Sequence, residues 1–166
     1  MKKIIASILL SIVFLGCASS SENTQNQEPK LLVGKKLSHI TLNDQFDKPQ
    51  TMPNDITTVI FAFSKPMGHL CNDFFARQSP TYLGDNKALF IADISGAPSL
   101  IRSMFIIPGL KKFDHKVLIL DNEEVAKEYK LGMDIDKIAV VSIKGGIITA
   151  IKTATTPNEL KALIQH

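Results

Sequence analysis

A deprotonated cysteine is the strongest nucleophile among ordinary side chains, and the body of this 166-residue chain holds only Cys71. It closes the stretch FSKPMGHLC, residues 63–71, which follows the apolar run TTVIFAF and precedes NDFF. Residues 57–63 read as a buried strand, β-branched and aromatic on both faces. Residues 71–79 read as a short helix that stops before Pro80, so Cys71 is expected to open that helix. Unpaired N–H groups and the positive end of the helix dipole would favour thiolate over thiol there. His69 stands two residues earlier, able to add positive charge or to act as a base. The other reading needs no chemistry. Cys71, Phe74 and Phe75 fall at i, i+3 and i+4 and share one helix face. A free cysteine on such a face is a small buried hydrophobe with a raised pKa.

Other chemistries find little support. His39, His115 and His166 are scattered, so no metal site is expected. There is no G-x-S-x-G, Walker or dinucleotide motif, and KGG at 144–146 suits a hairpin turn rather than a phosphate cradle. No cofactor is therefore expected. The basic stretch GLKKFDHK (109–116) alternates lysines with Phe113 and Asp114, as a solvated turn before a strand does.

The first 17 residues differ from the rest. MKK is basic, IIASILLSIVFLG is apolar, and Cys17 follows before the polar run ASSSENTQNQEPK. A charged start, a short apolar core and a small residue at the cut describe an export signal. The ending VFLGC resembles the lipobox of bacterial lipoproteins, with Phe14 where Leu is usual. That resemblance implies cleavage after Gly16, palmitate and other acyl chains on Cys17, and a membrane as partner. Ala18, rather than Asp, resembles the pattern sorted to an outer membrane, facing the periplasm. Several acyl chains hold a protein stably where one is marginal. The expected organisation is a signal peptide over 1–16, lipidated Cys17 with a flexible tether over 17–30, and one domain over 31–166.

Removal of the signal takes Lys2 and Lys3 with it, leaving 17 basic against 16 acidic residues and a net charge of +1 instead of +3. Near balance excludes a nucleic-acid partner, which needs a concentrated basic face. With Cys17 acylated, Cys71 has no partner in the chain and no intramolecular disulfide is possible.

The remaining elements alternate. Residues 36–42 suit an edge strand or hairpin arm, 87–94 a second buried strand, and 95–105 a helix with Ser95 as a possible cap, ended by Pro108 and Gly109. Residues 116–120 suit a strand, 121–132 a helix with acids first and Gly132 last. Residues 137–143 and 147–152 form a hairpin across Gly145 and Gly146. In TPNELKALI, Thr156 caps, Pro157 opens and Glu159 completes a capping box. Strands alternating with helices mean an α/β fold with helices on both faces of a mixed sheet.

In this order, VIFAF before Cys71, LFIADIS, LILDNEEVAKEYKLG and VVSIKGGIITAI resemble a thioredoxin-like fold, nearer its peroxiredoxin branch, over residues 57–165. The resemblance implies a three-layer sandwich with the redox cysteine at Cys71. It also marks departures. There is no C-x-x-C; the peroxidase Pro and Thr positions hold Ser64 and Gly68; no proline precedes KIAVVSI; and Lys137 at best replaces the activating Arg. Two functions follow as expectations. One is a single-cysteine thiol-redox protein of the cell envelope, restored by an external thiol. The other is a non-catalytic module that binds an envelope protein or small ligand.

Overall fold

β-Branched and aromatic residues build the centre of the sheet, and strand β3 (Thr58–Ala62) is buried at every position. The structure is a computed structural model that describes residues 28–37 and 39–165. The signal segment, Cys17 and most of the tether lie outside the described residues. Before β3 come β1 (Thr41–Asp44) and β2 (Pro49–Thr51). After it follow α1 (Lys65–Phe75), α2 (Tyr82–Asp85) and β4 (Ala88–Asp93). A composite helix comes next: α3 (Ser99–Ile101), a π-helical stretch (Arg102–Ile106) and α4 (Ile107–Leu110). The chain ends with β5 (Leu118–Leu120), α5 (Glu123–Lys130), β6 (Ile138–Lys144), β7 (Ile147–Ala154) and α6 (Pro157–Ile164).

The strands join in one sheet of order β2-β1-β5-β4-β3-β6-β7. β3, β4 and β5 run parallel, whereas β6 runs antiparallel to β3 and β1 antiparallel to β5. This is the mixed sheet with helices on both faces that the alternation of elements requires. One face packs Phe61, Leu118 and Val141 under Ala126 and Tyr129 of α5 and under Leu31 and Leu37 of the entering segment. The other packs Ile60, Phe90 and Val140 under Cys71 and Phe75 of α1 and Leu160 of α6.

Three elements differ from expectation, each for a local reason. α1 begins at Lys65, not at residue 71, because Ser64 is an extended N-cap and Pro66 falls in the first turn. Proline costs nothing there, since its missing N–H would be unpaired anyway. The composite helix runs through Pro108 and Gly109 instead of ending before them. The π-helical stretch just before Pro108 widens the turn, which relieves the clash a proline ring makes with the carbonyl four residues back. The entering segment pairs at Lys36 through an isolated bridge to Ile147 and becomes a continuous strand only at Thr41, while Leu37 and Ile40 pack into the core.

The expected hairpin and the final cap are present. Gly145 and Gly146 hold φ of 58° and 79° in the β6–β7 turn. The Glu159 N–H donates to Thr156 Oγ1 at 3.3 Å and the Thr156 N–H to Glu159 Oε2 at 3.2 Å. Thr156→Ala is expected to lower unfolding stability by about 1 kcal/mol, read as a reduced urea midpoint at unchanged slope.

Candidate functional site

The C-terminal ends of β3 and β4, the first turns of α1 and the composite helix enclose a cleft of about 700 Å³. Its walls are mainly apolar, with Phe63, Ile94, Ile101, Phe105, Ile106 and Phe113 among them. The Lys65 and Lys130 ammonium groups and the His69 imidazole also line it. The composite helix is held over the cleft by Arg102, whose Nη1 donates to the carbonyls of Ser95 at 3.1 Å and Asp121 at 3.0 Å. Those carbonyls follow β4 and β5, so one guanidinium ties the helix to two strand ends.

Two buried polar pairs shape this end of the sheet. Asp93, its side chain 3% exposed, pairs with Lys130 Nζ at 2.9 Å and accepts the Ser95 N–H at 2.9 Å. The pair joins the end of β4 to α5 across the cleft floor. On α1, Asn72 Nδ2 donates to the Gly68 carbonyl at 2.8 Å. Its Oδ1 therefore faces His115 Nε2 at 2.9 Å, and the proton of the neutral ring sits on Nε2. His115 Nδ1 is buried without a partner.

Cys71 is the seventh residue of α1, not the first. Its side chain is fully buried and faces the Ile60, Phe75 and Phe90 core, and it does not line the cleft. Burial pushes the Cys71 thiol far above the ordinary thiol range, because desolvation penalises the charged form. The helix dipole that sequence reasoning invoked acts on the first turn, which belongs here to Lys65, Pro66 and Met67. His69 is exposed and lines the cleft. Residues two apart on a helix point about 200° from each other, so the ring and the sulfur lie on opposite faces. Lys137 is turned to Asp134 at 3.1 Å and lies outside the cleft. The structure thus brings none of the three expected residues together. Among the described residues no cluster of three His, Cys, Asp or Glu side chains is placed to hold a metal. The same residues include no helix long and apolar enough to cross a membrane.

No protein-family profile matches the chain, and no curated protein does. Solved structures do. A candidate protein disulfide isomerase from Bacteroides thetaiotaomicron superposes with a TM-score of 0.55 at 14% identity, covering 81% of this chain and 87% of that one. The thioredoxin domain of a thiol-disulfide oxidoreductase from Bacteroides vulgatus gives 0.51 at 15% identity, over 81% and 99%. StoA from Bacillus subtilis gives 0.52 at 12% identity, over 78% and 98%. The fold is thioredoxin-like. At these identities the likeness concerns the fold alone.

In this thioredoxin-like frame, sequence reasoning singled out the stretch that forms one wall of the cleft and missed the opposite wall. Leu100, Ile101, Met104 and Phe105 are exposed large hydrophobics on the composite helix. Their spacing at i, i+1, i+4 and i+5 is a helical stripe and was a usable signal. All four fall inside the helix expected over 95–105, but which way that face turns is set by the packing of the helix on the sheet. Asn72–His115 and Asp93–Lys130 join residues 43 and 37 positions apart, which no local pattern shows.

The buried His115 generates a pH dependence. Burial against Phe75, Phe90 and Phe113 lowers its pKa from 6.5 to about 4, with the neighbouring Asp114 opposing. The unfolded chain takes up a proton near pH 6.5 that the folded chain refuses. The stability is therefore complete above about 6.5 and is lost as pH falls toward 4. Between pH 7.5 and 5 the group is expected to cost about 2 kcal/mol. Urea denaturation at both values should show this difference shrinking in His115→Gln.

Proposed function

We propose that this chain is a lipid-anchored protein of the bacterial cell envelope whose thioredoxin-like domain binds an apolar segment of a partner protein and does no thiol chemistry. The observation that carries it concerns the first helix. Gly68, His69 and Asn72 line the cleft while Cys71 between them is turned into the core. A thiol so placed is neither ionised near neutral pH nor reachable by a disulfide or peroxide. What remains at the usual place for chemistry is a roomy apolar cleft, continued outward by Leu100, Met104 and Phe105 at 64%, 58% and 64% exposure. A contiguous apolar patch beside a preformed cleft suits a protein partner. The anchor belongs to the same proposal: acylation of Cys17, with palmitate among its chains, in a membrane facing the periplasm. Its support is the VFLGC sequence and the polar stretch after it.

Two measurements test the reading. The signal-free protein should be alkylated slowly by iodoacetamide from pH 6 to 9, with the rate rising only on unfolding. Rapid labelling with a midpoint below about 7, where an unperturbed thiol titrates near 8.5, would establish a working thiolate and overturn the proposal. The cleft should also bind an apolar fluorescent dye such as anilinonaphthalene sulfonate. Phe105→Lys with Met104→Lys is expected to weaken that binding about tenfold or more, each buried large side chain contributing about 1.5 to 3 kcal/mol. Unchanged dye affinity in the folded double variant would remove the cleft from the function.

A further inference from the structure

A second surface lies at the opposite end of the sheet from the cleft. β6 begins beside the cleft, with Ala139 opposite Phe61, and runs antiparallel to β3 past Ser142 opposite Thr58. The β6–β7 turn is therefore at the far end. The entering segment is fastened there: the Gly34 N–H donates to the Ile148 carbonyl at 2.8 Å and the Leu37 N–H to the Gly146 carbonyl at 2.8 Å. Around the first of these bonds the chain makes a tight turn over Leu32–Lys35, closed by the Lys35 N–H on the Leu32 carbonyl at 3.0 Å. Gly34 adopts φ +89°, the left-handed region that a side chain resists. The turn presents Leu32 and Val33 outward, 49% and 56% exposed, beside Ile147 at 39%.

Charge surrounds these three side chains. Lys36 and Lys144 are exposed, and neither forms an ion pair among the described residues. Lys35 pairs with Glu28 at 2.6 Å, and Lys30 with Glu128 at 2.6 Å. Beside the turn is a hollow of about 240 Å³ lined by Lys30, Lys35, Lys36 and His39, with Tyr129 as a wall. A few apolar side chains at a tip, ringed by lysines, with a small basic hollow beside them, match an interface of acyl chains under anionic headgroups. The polar and charged rim fits a lipid surface better than a protein core.

The position of the turn in the chain points the same way. Cys17 stands eleven residues before Glu28, a length that reaches at most about 40 Å when extended. A chain held at Cys17 keeps this face within reach of the bilayer. We propose that the Leu32–Val33 turn, Ile147, Lys35, Lys36 and Lys144 rest on an anionic phospholipid surface, so that the cleft opens away from the membrane. The proposal rests on the lipid-anchor reading. Lys36 and Lys144, which form no ion pair among the described residues, each contribute about fivefold in affinity near such a surface, and Lys35 less while Glu28 holds it; this is too little to hold the domain unaided but enough to orient one already attached.

The chain contains no tryptophan, so a single introduced one reports its own surroundings. Residues 18–166 with an N-terminal hexahistidine would be held on vesicles of phosphatidylcholine, phosphatidylglycerol and a nickel-chelating lipid, some acyl chains brominated. Fluorescence of Val33→Trp is expected to be quenched by the bromine, and that of Leu100→Trp to be unaffected. The quenching should be lost when Lys35, Lys36 and Lys144 are all changed to Glu, or when phosphatidylglycerol is omitted, at unchanged urea midpoints. No quenching at residue 33, or stronger quenching at residue 100, overturns the proposal; the latter would put the cleft helix on the bilayer. Artificial attachment makes the result independent of whether cells acylate Cys17. Incorporation of labelled palmitate, and its loss in Cys17→Ser, decides the anchor separately.

Discussion

The seating of α1 on the sheet is the constraint from which the rest of the site follows, because one rotation of that helix divides its residues between core and cleft. Cys71, Phe74 and Phe75 lie on the side that buries apolar surface against Ile60 and Phe90. Burial of aromatic side chains is the largest favourable contribution available there, of order 2 kcal/mol or more for each ring. A helix turned to aim the sulfur outward would expose both rings. The early start at Lys65 completes the arrangement, since it gives the dipole end to residues without a thiol. The helix thus turns apolar and polar side chains to the cleft and the thiol to the core.

Buried polar contacts fix that arrangement rather than drive it. Asn72 is committed twice, to the Gly68 carbonyl within α1 and to His115 before β5. This locks the helix rotation against a strand that forms much later in the sequence. Asp93 with Lys130, and Arg102 with two carbonyls, do the same for α5 and the composite helix. The first two would be costly to break, because removing Lys130 or one of Asn72 and His115 leaves a buried polar group short of a partner. The neutral His115, surrounded by three phenylalanines, makes the whole arrangement sensitive to acid. The two ends of the sheet then differ in character. One has the cleft and its apolar helix, the other the entering segment and a lysine-rich rim.

Much of the fold was legible. The runs 57–63 and 87–94 are apolar on both faces, so they had to be central strands, and they pair in parallel as expected. The KGG turn and the Thr156–Glu159 box are local chemistry, set by left-handed glycines and by a hydroxyl and a carboxylate three residues apart. Prolines misled in both directions. Pro66 fell outside the helix expected over 71–79 and Pro108 was read as a stop, whereas one sits in a first turn and the other follows a π-helical stretch. A proline forbids an N–H and fixes φ, but the neighbouring turn decides whether that hurts.

By itself the sequence determined the element types, the mixed α/β sheet and the residues that share the helix face of Cys71. It also set a near balance of basic and acidic residues. Only the tertiary structure decided where α1 starts, that Cys71 faces the core while His69 faces the cleft, and that Asn72 meets His115 and Asp93 meets Lys130. The physical reason is range. Periodicity, turns and caps are settled by residues within about four positions of each other. The rotation of a helix on a sheet and the pairing of distant polar groups depend on surfaces assembled from the whole chain.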